Sequence, residues 1–168
     1  MNTPGSEHPR LSIEPVAWKA AMGSFPSGVT VVTSQLDGDV CGTTVSAFSS
    51  VSLEPPLALV CLDRSSRTLA VLLKSRVFAI NILAEGQDAV AMLFARRLAT
   101  DRFGALPWRQ SAAGVPLIEG CAASVECRVS QVIESGDHKI VVGEGLVVEV
   151  DPQKSPLVYC RGQTGGLS

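Results

Sequence analysis

Histidine, aromatic side chains and long apolar runs are scarce in this chain of 168 residues, and each shortage removes a class of chemistry. The two histidines, His8 and His138, are too few for a histidine-based metal site, so no bound metal is expected. No uncharged apolar stretch approaches the ~20 residues of a membrane helix. The start, MNTPGSEHPRLSIEP, is polar and proline-bearing, without the apolar segment of a signal peptide. The expectation is a soluble, cytoplasmic protein with no membrane partner. None of Cys41, Cys61, Cys121, Cys127 and Cys160 forms a C-x-x-C pair, and four of them lie inside apolar runs. They read as small buried hydrophobes in a reducing compartment. A net charge of −2 gives a phosphodiester backbone nothing to bind, so no nucleic-acid partner is expected. The G-x-x-x-x-G-K-[ST] phosphate loop is missing. Gly143-Glu144-Gly145 lies in a β pattern instead of opening a helix, so the dinucleotide fingerprint is missing too. With no G-x-S-x-G elbow, the adjacent Asp137 and His138 do not make a hydrolase triad.

What remains is a β-rich chain. Its length suits one domain, the prior being about 100–200 residues, and charged residues at 18% leave surface for a ligand groove or a subunit interface. Residues 1–12 read as a flexible tail and 13–168 as the folded domain. Pro15–Ser24 has a helical pattern, with Val16, Trp18 and Met22 available for packing. Val29–Ser34, Thr43–Val51, Leu57–Leu62 and Val77–Leu83 then read as strands, with Asp37-Gly38-Asp39 as a hairpin turn and Glu54-Pro55-Pro56 as a break. Thr68–Lys74 and Gln87–Arg97 carry helical spacing. Asp101–Pro116 reads as irregular. Ala122–Ile133, Lys139–Val150 and Leu157–Tyr159 resume the strands, the first two joined at Ser135-Gly136-Asp137. Many short strands with few helices predict a mostly β fold, an antiparallel barrel with flanking helices.

Three stretches hold more polar groups than their positions require. Six of the eleven residues from Gly42 to Ser52 bear hydroxyls, inside a strand and its exit. Small side chains there let a planar ligand approach the backbone, although alternation on a half-solvated strand gives the same composition. Asp63-Arg64-Ser65-Ser66-Arg67-Thr68 precedes a helix. Ser66 is a natural N-cap, and hydroxyls, N–H groups and two arginines also suit a phosphate. Gly136-Asp137-His138-Lys139 places the one histidine outside the tail at a strand start, for a ligand or for a wet rim. Together these describe a barrel with a phosphate-bearing planar ligand.

An ordered series of segments then resembles a known family. It runs Phe25-Pro26-Ser27-Gly28-Val29-Thr30-Val31-Val32-Thr33; Thr43 to Ser52 leading into Leu53-Glu54-Pro55-Pro56-Leu57; Phe78-Ala79-Ile80-Asn81-Ile82-Leu83; Phe94-Ala95; Asp101-Arg102-Phe103; Gly136-Asp137-His138; and Pro156-Leu157-Val158-Tyr159. From about Trp18 to Gly162 the chain resembles the short-chain flavin reductases, the reductase components of two-component flavin-dependent monooxygenases. The resemblance implies an antiparallel split β-barrel of flavin-reductase type, homodimeric, with the flavin near the subunit interface. It implies hydride transfer from NADH or NADPH to FMN or FAD, and delivery of the reduced flavin to a partner monooxygenase. It places Thr44, Val45, Ser46, Ala47 and Phe48 along the isoalloxazine and ribityl chain with Ser50 nearby. Ser65, Ser66 and Arg67 fall at the phosphate end with Arg97 assisting, and His138 falls on the nicotinamide side as the catalytic candidate. Two positions depart from the family pattern, Ser46 where asparagine is frequent and Arg67 where lysine is. The alternative reading is a flavin-binding electron-transfer or sensor module that keeps its FMN without turnover.

Overall fold

The computed structural model describes residues 12–96 and 101–167, so the tail expected over residues 1–12 lies outside it except for Ser12. Helix α1 (Pro15–Gly23) carries Pro15 at its start, where a missing N–H leaves no bond unmade. Val16, Trp18 and Met22, available for packing by the sequence, are 81%, 53% and 53% exposed in the single chain. The sequence PVAWKAAMG spreads its apolar residues around the helix instead of gathering them in one stripe, and none of them is buried. Its tie to the body is at the far end, where the Gly23 carbonyl accepts the Arg161 N–H at 2.7 Å.

Strands follow wherever β-branched runs are bounded by turn residues. They are β1 (Ser27–Gly28), β2 (Thr30–Leu36), β3 (Asp39–Val45), β4 (Phe48–Leu53), β5 (Pro56–Asp63), β6 (Val77–Ile82), β7 (Trp108–Gln110), β8 (Pro116–Ile118), β9 (Ala123–Ser135), β10 (His138–Val150), β11 (Val158–Cys160) and β12 (Gln163–Gly165). Asp37 (φ 51°) and Gly38 (φ 82°) form the two-residue turn of the β2–β3 hairpin. Helices α2 (Arg67–Ser75) and α3 (Asp88–Ala95) interrupt the strands. The stretch expected to be irregular after Asp101 contains a 3-10 turn, Phe103–Ala105, and strand β7.

The main sheet has seven strands in the order β3-β2-β6-β9-β10-β5-β4, every neighbouring pair antiparallel. A three-stranded sheet, β1-β11-β12, and the β7–β8 pair complete the architecture. The single strand expected over Thr43–Val51 is two. Its first half pairs with β2 and its second half with β5, at opposite ends of the main sheet, so the ladder must break between them.

Val32, Val60, Leu62, Leu69, Leu72, Phe78, Ile80 and Val141 form the main core. Helix α2 supplies Leu69 and Leu72, and Ser66 caps it by accepting the Leu69 N–H at 3.4 Å. Buried Asn81 is fully paired. Its amide donates to the Val31 carbonyl and to Thr33 Oγ1, each at 3.0 Å, and its Oδ1 accepts the Ile118 N–H at 2.8 Å. This pins β6 to β2 and β8 without an unsatisfied polar atom. Among the described residues no helix is long and apolar enough to cross a membrane.

Candidate functional site

The break between the two edge strands builds the site. Ser46 and Ala47 lie outside both strands and are exposed. Their carbonyls are used: Ser46 accepts the Phe48 N–H and Ala47 accepts the Cys61 N–H, both at 3.0 Å. Their N–H groups meet no acceptor among the described residues. Being exposed, these two adjacent donors are open to water, and a ligand seated beside them can accept their hydrogen bonds instead. They border a cavity of about 210 Å³ whose lining includes Thr44, Val45, Ser46, Ala47, Ser66 and His138. A larger cavity of about 740 Å³ continues from it, sharing Thr43, Asp63 and Ser66 and adding Asp39, Ser65, Arg67, Phe94, Arg102, Phe103 and Trp108. The two form one groove running past the start of α2.

His138 opens β10, opposite Asp63 of β5 and Ser135 of β9. Its Nδ1 lies 2.7 Å from Asp137 Oδ1. A carboxylate partner favours the proton on Nδ1, and Nε2 has no partner among the described residues. The hydrogen bond to His138, and then the charge of that ring, hold the Asp137 carboxyl below the ordinary carboxylate range. The turn itself is fixed from the residue that follows β5, since the Asp137 carbonyl accepts the Arg64 N–H at 3.0 Å.

At the other end, the Ser65 N–H and hydroxyl both donate to Asp63 Oδ1, at 2.8 and 2.6 Å. The N–H groups of Arg67 and Thr68, in the first turn of α2, take no acceptor among the described residues, as a helix start requires. Arg67 Nη2 is ion-paired with Asp39 Oδ1. Burial pushes the Cys41 thiol up to about 11; Asp39 adds to this, while Thr68 and Arg67 oppose it. Burial also raises Cys61. Both cysteines beside the groove are therefore thiols at neutral pH, without the thiolate that nucleophilic chemistry needs.

The structure thus gathers Thr44, Val45, Ser46, Ala47, Ser65, Ser66, Arg67 and His138 around one groove. The Thr44 hydroxyl is committed to the Ala91 carbonyl at 2.6 Å, which leaves that residue's backbone for a ligand. Phe48 and Ser50 stand apart from the lining. Phe48 pairs with Val60 and packs on the main core, and Ser50 sits exposed beside a register shift in β4. Arg97 lies outside the described residues.

Arg102, Phe103 and Trp108 also line the larger cavity, although they do not stand out as site residues in the sequence. Arg102 Nη1 donates to the Gly42 carbonyl at 2.7 Å and Nη2 donates to the Arg96 carbonyl. Its Nε is buried with no partner among the described residues. Phe94, Phe103 and Trp108 form an edge-to-face series with ring centroids 5.2 and 5.4 Å apart, and they wall the larger cavity. The one signal for these residues was the Asp101-Arg102-Phe103 segment. Arg96, Phe94 and Trp108 lie near that segment in the chain, whereas Gly42 is 60 positions from Arg102 and meets it only in the fold.

The model of the flavin reductase like domain family matches residues 22–168. The "Probable flavin reductase" of Rhizobium meliloti (strain 1021) is 43% identical over 89% of this chain, which spans only 48% of that protein's length. The reductase subunit HsaB of a flavin-dependent monooxygenase from Rhodococcus jostii (strain RHA1) is 33% identical over 93% of this chain and 80% of its own. The solved Streptomyces globisporus C-1027 NADH:FAD oxidoreductase SgcE6, in complex with NAD and FAD fragments, superposes with a TM-score of 0.88. It is 32% identical over 94% of this chain and 97% of its own. With a family match over most of its length, on a groove lined by the residues that carried the resemblance, this chain belongs to the flavin reductase like domain family.

Proposed function

We propose that this protein is an NAD(P)H:flavin oxidoreductase that transfers a hydride from NADH or NADPH to FMN or FAD and passes reduced flavin to a partner monooxygenase. The observation that carries the reading is the pair of unpaired N–H donors at Ser46 and Ala47, in a groove that also holds the start of α2 and His138. These residues fit a flavin. Backbone donors suit the acceptor atoms of a planar ring, the open N–H groups of Arg67 and Thr68 with the Arg67 guanidinium suit a phosphate, and the groove joins the two. When bound, the flavin supplies the hydride-accepting ring. The protein's part is to hold two rings face to face and place fixed donors where negative charge develops. Neither task calls for a nucleophile, and the protonated thiols beside the groove agree with that.

The rest of the reading concerns assembly. Residues 13–168 form the domain. Its main sheet curls into a split barrel, supported by the two-residue link Ser46-Ala47 between edge strands β3 and β4, which spans at most about 10 Å. The protein is a homodimer, a reading supported by the exposed apolar side chains of Trp18, Phe25, Leu53, Val148 and Val150. It works in the cytoplasm, in keeping with free thiols at all five cysteines.

Stopped-flow oxidation of NADH and NADPH with added FMN, FAD or riboflavin tests the activity. Turnover is expected only with flavin present. Turnover by rigorously flavin-free protein would overturn the reading, and tight flavin binding without turnover would make the protein a flavin carrier.

A further inference from the structure

Asp39 and Arg67 meet at the wall of the larger cavity. The aspartate opens β3, and the arginine is the first residue of α2. Among the described residues neither side chain has another hydrogen-bond or ion-pair partner. Each is delivered by a segment fixed for its own reasons. Asp39 pairs with Leu36 across the hairpin turn, and Arg67 stands on a helix capped by Ser66 and seated on the core through Leu69 and Leu72. Beside the pair, the N–H groups of Arg67 and Thr68 remain open. An anion arriving at the start of α2 thus finds free backbone donors and a guanidinium that already holds a carboxylate.

We propose that Asp39 is an internal competitor for the flavin phosphate, a specificity-determining residue that keeps phosphorylated flavins exchangeable. The proposal rests on the reading of Arg67 as the phosphate contact. A phosphate must take the guanidinium from Asp39 and then sit near a carboxylate that the hairpin holds in place. Both costs fall on FMN and FAD and spare riboflavin, which has no phosphate. The side chains of Arg67 and Asp39 are 71% and 44% exposed, so solvent screens the effect. A pair of that kind is expected to change affinity about two- to fivefold. That is enough to favour release by a protein that hands flavin on.

The test compares dissociation constants for FMN and riboflavin, read by quenching of flavin fluorescence at low and high salt. The variants are Asp39→Asn, Arg67→Ala and the double substitution, each checked for folding by thermal melting. Asp39→Asn is expected to tighten FMN about two- to fivefold relative to riboflavin. The gain should shrink at high salt and vanish when Arg67 is alanine. An FMN-to-riboflavin affinity ratio (the inverse of the ratio of dissociation constants) that stays put or falls in Asp39→Asn, while Arg67→Ala lowers it, overturns the proposal. In that case Asp39 only positions Arg67 or staples the hairpin to the helix. If Arg67→Ala itself leaves the ratio unchanged, the phosphate lies elsewhere, and both the reading of Arg67 and the proposal fall.

Discussion

Replacing His138 by alanine separates a working imidazole from an ornamental one. The ring's one hydrogen-bond partner among the described residues is Asp137, a carboxylate on a two-residue turn, and the side chain is 44% exposed. It belongs to neither main hydrophobic cluster, so its removal should change stability by no more than about 0.5 kcal/mol. The flavin contacts proposed at Ser46, Ala47 and the start of α2 are left in place, and flavin affinity should stay within about twofold. The expected effect is on the chemical step. His138 shares the small cavity with the donors of Ser46 and Ala47, where the proposed function places the nicotinamide against the flavin. A small misplacement of one ring can cost about a hundredfold in rate, or about 2.7 kcal/mol of barrier at 1.36 kcal/mol per factor of ten. Single-turnover reduction of pre-bound flavin, followed at 450 nm (about the flavin absorption maximum) over a range of NADH concentrations, isolates that step because flavin binding no longer contributes. An unchanged reduction rate at every concentration would refute the reasoning and leave His138 as part of a solvated turn.

Two further expectations concern the body that holds the groove. A Cβ added at Gly143 would lie 2.5 Å from Phe78 Cζ and 2.8 Å from Cys127 Cβ, both residues being buried. Gly143→Ala should therefore destabilise by about 1–3 kcal/mol in urea unfolding, and a loss below 0.5 kcal/mol would show that this contact relaxes freely. Burial raises the Cys41 and Cys121 thiols to about 11 and Cys127 to about 12, from 9.0. A raised folded-state pKa means that the native state holds its proton more tightly than the unfolded chain. The stability this brings is complete below pH 9 and is lost as pH rises through 11–12. Thermal melts from pH 8 to 11 should show this alkaline loss, and it should be smaller in Cys127→Ala measured against its own value at pH 8; an equal loss in that variant would assign it to other groups.

Much of this protein was legible in its sequence because the signals are local. The Asp37-Gly38 turn, the N-cap at Ser66, the spacing of Leu69 and Leu72, and the long runs either side of Gly136-Asp137 each follow from residue type over a few neighbours. The ordered segments from Phe25 to Tyr159 carried the family for the same reason. Long-range partners were not legible. Composition made the hydroxyl-rich stretch look like one strand, but whether it could be one depended on which strands took its two halves. With β2 claiming the first and β5 the second, the chain had to break at Ser46-Ala47 and leave two N–H groups open. The helical pattern of α1 likewise said nothing of what it would meet, and Trp18 and Met22 ended exposed. Arg67 had the charge for a phosphate in sequence. Only the fold set Asp39, 28 positions earlier, against it, and tied Arg102 to the carbonyl of Gly42 from 60 positions away. Turns and helix caps are decided by neighbours in the chain. Which hydrogen-bond donors stay free for a ligand, and which charges face each other, is decided by strand order and loop closure, where the partners lie far apart in sequence.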